Sequence, residues 1–420
     1  MINTLKKIYH KLSRFKIVRM MGEIYENGFP LENYQAYLRL KRLKKQTKHD
    51  GKIKVVFLVQ YAQVWSKLET VCERMLDDER FEVKLLAVPE KITHIDKKIY
   101  EHFYKLYGEN VIDAYKDGQW FDIKGYQPDY LFYQRPYDQY LPEEYRSGVV
   151  SEYARVCYVP YGYQVMKTTE HSAMNKLFFR NVYIYFAENT IYYDKNRNRF
   201  KKSHGESVRR TANIGYPALE KFMKKKCDKD NDYFNVLWTP RWTEDKDSGG
   251  SNFINFKEKV LELPREKKNI FLMFRPHPMA FEHFVSIGRI TQQEADAYKQ
   301  FYEENERMHY DNSAAYEEMF WKSDILLTDA SAIIVEYFLT GKPIVYCDTG
   351  AKPNAFLEEL TKVFYVVKTW EEAKRVVLEL ANGIDPLKEK REQKKEELMG
   401  SDLEHISERF LDEIYNDYNS

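Results

Sequence analysis

Residues 271–278 read FLMFRPHP, and residues 323–346 read SDILLTDASAIIVEYFLTGKPIVY. In each stretch an apolar run ends abruptly in a polar turn. Ile270–Phe274 runs into Arg275-Pro276-His277-Pro278, and 325–327 runs into Thr328-Asp329-Ala330-Ser331. Short, nearly continuous apolar runs of this kind mark strands covered on both faces of a parallel sheet. Ile333, Ile334, Tyr337 and Phe338 then follow at helical spacing, and Gly341-Lys342-Pro343 restarts a strand at Ile344. Open α/β sheets bind ligands beyond the carboxyl ends of their strands, which is where these polar turns fall. A Ser opening a helix adds free backbone N–H groups and a positive dipole end, which suits a phosphate. Arg275 and His277 supply further donors for the same anion. The pattern predicts a diphosphate pocket.

The strand-into-turn pattern recurs upstream. Ile53–Val59 ends at Gln60-Tyr61 and leads into a helix over 65–76, and 81–88 is the next strand. The run 128–136 ends in Gln134-Arg135, 156–159 ends in Pro160-Tyr161, and 182–187 ends in Glu188-Asn189. A short strand reaches Gly215, a Lys- and Asp-rich run near 221–232 breaks the pattern, and a strand over 235–239 restarts it. Alternation of strands with helical segments argues for parallel sheets. The expected organisation is a lead-in at 1–50, Rossmann-like domains at 51–220 and 221–385, and a charged helical segment at 386–420.

At 420 residues the chain is long enough for two such domains. The formal net charge is +1, so overall charge points neither to a nucleic-acid binder nor to long-range steering. The 34 Tyr and 25 Phe read as packing residues more readily than as sugar-stacking platforms. Cys72, Cys157, Cys227 and Cys347 are scattered without CxxC spacing, which suggests neither a zinc site nor a disulfide framework and fits a reducing compartment. No cluster has metal-ligand spacing, so neither a catalytic metal nor a cofactor is expected. No run is long and apolar enough to span a bilayer, and there is no signal-peptide pattern. Residues 1–22 carry Lys6, Lys7, Lys11, Arg14, Lys16 and Arg19, while Leu5, Ile8, Leu12, Phe15 and Val18 share one helical face. That segment reads either as a helix packed on the body or as one lying on an anionic membrane surface. The second reading places the protein in the cytoplasm, peripherally attached to the inner face of the cell membrane.

The two opening segments resemble the C-terminal half of the CDP-glycerol glycerophosphotransferase family, the teichoic-acid and capsule polymerases of bacterial cell surfaces. The family's Arg-Pro-His-Pro turn is matched by residues 275–278. Its Asp-x-Ser-Ser turn is matched by Asp329-Ala330-Ser331-Ala332, and Gly341-Lys342-Pro343 closes the following helix. Because the second Ser is Ala332 here, only Ser331 carries over as a phosphate donor. Ile214-Gly215-Tyr216-Pro217 resembles the family's Gly-x-Pro turn, and 237–242 resembles its apolar-Pro-Thr-Trp-Arg strand end. The resemblance spans roughly 150–380 and rests on the order of the motifs. It implies a glycosyltransferase-B-like fold, two Rossmann-like domains facing a cleft, with an acceptor side at 51–220 and a nucleotide-donor side at 221–385.

One departure stands out. The family's acceptor half has a His-Gly-Thr turn whose His is a proposed base, and the corresponding turn here reads Pro160-Tyr161-Gly162-Tyr163-Gln164. An unperturbed phenol titrates near ~10, which makes Tyr161 a poor base at neutral pH. His171 is the nearest candidate, with Lys167, Thr168 and Glu170 close by. On the donor side, His277 as the imidazolium is expected to stabilise the leaving group. Arg275 reads as an anion clamp or as a structural ion pair, and Arg241 as a clamp or a surface charge. Gly249 and Gly250 either bring backbone N–H groups to a phosphate or simply form a loop. Asp329 reads as the cap of the following helix. Glu336 either reaches a ribose hydroxyl or is a solvated carboxylate. Gln134, Arg135, Tyr161 and Glu188 are acceptor-side candidates by their position at strand ends.

These expectations point to a transferase that moves glycerol phosphate, or a related polyol phosphate, from a CDP-linked donor to a hydroxyl of a surface polymer or lipid-linked acceptor, releasing CMP. The alternatives are a nucleotide-sugar glycosyltransferase of the same fold in capsule or surface-polysaccharide synthesis, and a non-catalytic relative retained as an assembly partner. No nucleic-acid partner is expected.

Overall fold

The computed structural model describes residues 30–45, 49, 51–168, 176–202, 207–313, 316–400 and 402–420. The basic segment 1–22 and His171 lie outside the described residues. The chain forms two compact units. The first holds the described residues of Met1–Tyr161, Met174–Pro217 and Ile406–Ser420, and the second those of Gly162–Ala173 and Ala218–His405.

In the first unit, β1 (Ile53–Val59), β2 (Phe81–Ala87) and β3 (Val111–Asp113) form one wing of a seven-stranded sheet. A hairpin, β4 (Tyr115–Lys116) with β5 (Gln119–Trp120), stands apart. The other wing is β6 (Tyr130–Tyr133), β7 (Arg155–Tyr158), β8 (Ile184–Phe186) and β9 (Arg210–Ala212). The order is β3-β2-β1-β6-β7-β8-β9, with every neighbouring pair parallel. The order reverses between β1 and β6. Six of the seven residues of β1 are buried, as its apolar run requires of a central strand covered on both faces. Phe57 stacks on Phe132 at 5.0 Å, and Phe186 stacks on Phe410 at 4.1 Å. Phe410 lies on the helix Ile406–Asn419, whose Ile406, Leu411 and Ile414 are buried with it. The surplus tyrosines pack in this core with their hydroxyls bonded: Tyr133 donates to Tyr145 O at 2.8 Å, and Tyr130 to Asp417 at 2.7 Å.

In the second unit, β10 (Phe234–Thr239), β11 (Ile270–Phe274) and β12 (Met308–Tyr310) lie on one side. β13 (Ile325–Thr328), β14 (Ile344–Cys347) and β15 (Tyr365–Val367) lie on the other. The order is β12-β11-β10-β13-β14-β15, again all parallel, with the reversal between β10 and β13. Trp238, Phe253 and Phe274 stack at the centre of its core. The motif Gly341-Lys342-Pro343 has a packing explanation. Gly341 sits at φ +73, and Lys342 Nζ donates to the carbonyls of Phe320, Trp321 and Ser323, satisfying the open end of the helix Glu317–Lys322.

Two features of the organisation differ from the linear reading. Residues 162–168 belong with the second unit, where Met166 bridges Pro353 and Asn354 N donates to Val165 O at 2.9 Å. The 386–420 segment divides: Lys388–Met399 goes with the second unit and Ile406–Asn419 with the first. The buried face of Ile406, Phe410, Leu411 and Ile414 supplies the reason, since it covers the first sheet.

Candidate active site

The second sheet builds its polar centre where the strand order reverses, at the carboxyl ends of β10 and β13. The two threonines that end these strands meet there: Thr239 Oγ1 donates to Thr328 Oγ1 at 2.8 Å, and Thr328 Oγ1 donates to Thr239 O at 2.9 Å. The Arg-Pro-His-Pro turn extends β11 along the same edge. Arg275 N donates to Trp238 O at 2.9 Å, and His277 N to Pro240 O at 3.2 Å. Arg241, His277 and Asp329 thereby come together.

Asp329 is buried, and its role differs from the expected helix cap. The helix Ile333–Phe338 is preceded by Ala332 with no side-chain cap. The Asp329 carboxylate instead accepts from Arg241 N at 3.1 Å, Asn252 N at 3.2 Å, Asn252 Nδ2 at 3.0 Å and Ser251 Oγ at 3.4 Å. It ties the loop 249–252 to the ends of β10 and β13. Burial pushes its pKa up to about 6, and these donors oppose the rise.

Arg241 donates through Nη1 to Ala330 O at 3.0 Å, while its buried Nε has no partner among the described residues. Burial lowers its pKa, and the charge of Asp329 opposes that. It is not a surface charge. A cation with an open donor at a switch point fits an oxyanion ligand. Gly249 and Gly250 explain how the loop closes on it. A Cβ on Gly249 would stand 2.7 Å from Arg241 Nε and 2.9 Å from Ala330 O, and one on Gly250 would stand 2.6 Å from Thr349 Oγ1. Both residues have positive φ, +110 and +69. Their own N–H groups are spent inside the turn, on Lys246 O and Asp245 O, so they are close-approach residues and not N–H donors to a phosphate.

His277 is half-buried, with its ring 6.2 Å from that of Trp242. Nδ1 accepts from Met279 N at 3.2 Å, which leaves the proton on Nε2. Burial first, and then the charge of Arg241, lowers its pKa. In the free protein near neutral pH it is therefore a neutral donor, not the imidazolium the sequence suggested. Ser331 Oγ has no hydrogen bond among the described residues.

Arg275 takes the ion-pair alternative. Its Nη1 pairs with Asp311, just past β12, its Nη2 donates to Ser313 O at 2.8 Å, and its guanidinium lies 5.6 Å from the Tyr316 ring centre. Glu336 joins this second cluster by accepting from the Tyr316 hydroxyl. It is partly buried, and desolvation pushes its pKa up to about 7.

The acceptor-side candidates of the first unit lie past the carboxyl ends of its strands: Gln134 and Arg135 past β6, beside the reversal at β1, Tyr161 past β7 and Glu188 past β8. Gln134 is fully committed: Oε1 accepts from Gln60 N at 2.7 Å and Tyr61 N at 2.8 Å, and Nε2 donates to Tyr61 O at 3.0 Å. Tyr161 shares a hydrogen bond with the Tyr137 hydroxyl at 3.0 Å. Glu188 is buried, accepts from Tyr185 OH at 2.8 Å, and is pushed up to about 7 by burial. Between them lies a residue that the sequence reading missed. Lys67 is buried, donates to Gln134 O and Val159 O at 2.5 Å each, and has its pKa lowered well below the usual value by burial and by the Arg135 charge. Its sequence signal was a lysine in helical register with Val71 and Met75. Asn252, Asp311 and Tyr316 were missed as well. Among the described residues no cluster of three or more His, Cys, Asp or Glu is placed to hold a metal ion.

Residues 167–352 match the family model described as CDP-Glycerol:Poly(glycerophosphate) glycerophosphotransferase. The match covers the whole polar centre of the second sheet, and the resemblance carried by the motifs is a match to that transferase family. No curated protein sequence matches the chain. Among solved structures, a putative UDP-N-acetylglucosamine 2-epimerase from Listeria monocytogenes is similar at 14% identity and TM-score 0.59, over 88% of this chain and 97% of that one. The wall teichoic acid polymerase TagF is similar at 14% identity and TM-score 0.52, over 96% and 97%. At such identities the likeness is one of fold, and the α/β, glycosyltransferase-B-like class is shared by all three. No helix among the described residues is long and apolar enough to cross a membrane.

Proposed function

We propose that the protein transfers glycerol phosphate, or a closely related polyol phosphate, from a CDP-linked donor to a hydroxyl of a surface-polymer or lipid-linked acceptor, releasing CMP. The observation that carries this reading is the group Arg241, His277 and Asp329 at the β10/β13 switch point, inside the segment that matches the glycerophosphotransferase family. The TagF structures that share the fold include one soaked with CDPG.

In this reading Arg241 faces the diphosphate and Asp329 holds its strand end and the loop 249–252 in place. The Nε2–H of His277 donates to a phosphate oxygen as charge develops on the departing group. Such a donor acts by positioning and electrostatics, which dominate phosphoryl transfer. A dianionic ligand next to His277 favours its protonation, so the imidazole gains charge as donor binds. Ser331 Oγ adds one neutral donor. The attacking hydroxyl needs a base, and Glu188, ionising near neutral pH, and His171 are the candidates.

The test is turnover by the full chain with CDP-glycerol, CDP-ribitol and a panel of UDP- and GDP-sugars. Release of CMP with loss of CDP-glycerol is the expected result. Release of UDP or GDP instead would support the second reading, a nucleotide-sugar glycosyltransferase, which the tyrosine-containing turn at 160–164 favours over the His turn of the family. Peripheral attachment to the inner membrane through residues 1–22 belongs to the same proposal, because a lipid-linked acceptor lies at that surface.

A further inference from the structure

Among the described residues Arg135 is a cation without an ion-pair partner. Its guanidinium carbon lies over Tyr61, 3.6 Å from the ring centre, with the rings of Tyr137 and Tyr140 at 5.5 and 5.4 Å. Its buried Nε has no partner among the described residues, and its single hydrogen bond there is a long one, Nη2 to Gln60 Oε1 at 3.5 Å. Two other arginines with a buried open Nε, Arg155 and Arg241, differ in this respect. Arg155 has Asp417 at 3.9 Å, and Arg241 has the charge of Asp329 beside it. Arg135 makes no ion pair among the described residues.

The surroundings increase the imbalance. Lys67, a second basic side chain, is close enough for the Arg135 charge to add to the lowering of its pKa by burial, and it is locked on Gln134 O and Val159 O. The nearby carboxyl group, Glu188, is the one that burial brings to about 7, so at neutral pH it carries only part of a charge. Tyr61, Gln134 and Arg135 sit at the carboxyl ends of β1 and β6, where the order of the first sheet reverses. That edge is the ligand-binding place of an open parallel sheet. A guanidinium held over an aromatic ring by cation–π attraction keeps its planar fork of N–H groups available for two oxygens of one anion. Gln60 and Gln134 hold the ring and strand ends rigidly, since Gln60 Nε2 donates to Pro89 O and Tyr140 O at 3.0 Å each. The donor is therefore preorganised.

We propose that this edge of the first unit is a phosphate subsite, in which Arg135, backed by Lys67 and framed by Tyr61, Tyr137 and Tyr140, binds a phosphate group carried by the acceptor. The inference rests on the transferase reading, since it makes the acceptor itself a phosphate-bearing molecule. It adds a second anion site, separate in the chain from Arg241 and His277.

The experiment measures binding to the full chain by calorimetry in saturating CMP, which occupies the donor side. The probes are sn-glycerol 3-phosphate, inorganic phosphate and glycerol. Glycerol 3-phosphate is expected to bind and glycerol is not. If inorganic phosphate binds as well, the phosphate group alone is what the site reads, as proposed. Arg135→Gln is expected to weaken glycerol 3-phosphate binding by about tenfold or more, the loss of charge-assisted hydrogen bonds to an anion. Arg135→Lys keeps the charge without the planar fork and is expected to weaken binding severalfold, which also covers the case in which Arg135→Gln does not fold. The thermal stabilisation by CMP should be the same in the variants and the parent. Glycerol 3-phosphate binding unchanged in both variants, or no binding to the parent, overturns the subsite. Absence of CMP stabilisation in the parent would instead count against the donor reading.

Discussion

Asp329→Asn sets two effects of similar size against each other. The carboxylate of Asp329 is buried and its pKa is raised from 3.8 to about 6. Keeping it ionised in the fold at neutral pH therefore costs about 3 kcal/mol relative to the unfolded chain. The amide removes that cost. It also replaces one acceptor oxygen with a donor, at a position where Arg241 N, Asn252 N and Asn252 Nδ2 all donate. One or two buried donors lose their partner, at about 1–3 kcal/mol each. Near pH 7 the two effects nearly cancel, and the variant should lie within about 1 kcal/mol of the parent. The pH dependence separates them. Because the folded value lies above the unfolded one, the stability from this group is fully present below 3.8 and is lost as pH rises through about 6. Between pH 5 and 7 the parent should lose about 1 kcal/mol from Asp329, and the variant should not. Glu188 and Glu336 titrate in both proteins and drop out of the difference. Urea unfolding at pH 5, 6 and 7 measures it, with the variant falling further behind the parent as the pH is lowered. A difference independent of pH, or a variant more than about 3 kcal/mol less stable at pH 7, would mean that the fold favours the ionised group and that this reasoning is wrong.

His277→Ala should reduce the turnover rate by about 10²–10³ with little loss of stability, as for removal of one donor to a developing oxyanion; parental turnover would take His277 out of the mechanism. Ser331→Ala should weaken donor affinity by about 1 kcal/mol in calorimetry, one neutral hydrogen bond. Gly249→Ala, strained at φ +110 and pressed on Arg241 Nε, should cost about 1–3 kcal/mol of stability and reduce CMP-induced thermal stabilisation, and a parental response to CMP would show that the loop yields without moving Arg241. Replacing Lys6, Lys7 and Lys11 by Glu should reduce co-sedimentation with anionic liposomes, as should raising salt, since each basic residue contributes about 1 kcal/mol near such a surface.

Much of the fold was legible because the central strands are continuous apolar runs. Ile53–Val59 and Ile270–Phe274 are strands over the residues read from the sequence, and each ends in the polar turn that the site uses. Three of the four edge strands were not legible, for a physical reason. β3, β12 and β15 have three residues each, and with one face or edge in water they carry Asp113, His309 and a half-exposed Tyr365 where an interior strand would be apolar. Periodicity needs more positions than that to show. Buried charge was equally hidden. Lys67 looks like any helix lysine until Val71 and Met75 are seen to share its buried face, and the glycines of the 249–252 loop look like flexible linkage until the guanidinium they admit is in view.

The motif residues themselves show where spacing stops being informative. Arg275 and His277 stand two apart in one turn and read as a single anion clamp. The sheet order separates them, because β11 lies between β12 and β10. Arg275 turns to the β12 side, where Asp311 and Ser313 take its donors, and His277 turns to the β10 side, beside Arg241 and Trp242. To foresee the split, the sequence would have had to reveal β12, and with it the Asp that follows. It is the strand too short to be read that decides which half of the motif is structural and which half faces a ligand. The same logic applies at the first sheet. Gln134 and Arg135 are adjacent, yet Gln134 is consumed by the backbone of β1's end, while Arg135 keeps an open donor. In each unit a guanidinium with an unspent donor, Arg241 in one and Arg135 in the other, lies at the strand-order reversal, and an open donor at that place is what suits a group to binding where a spent one braces the fold.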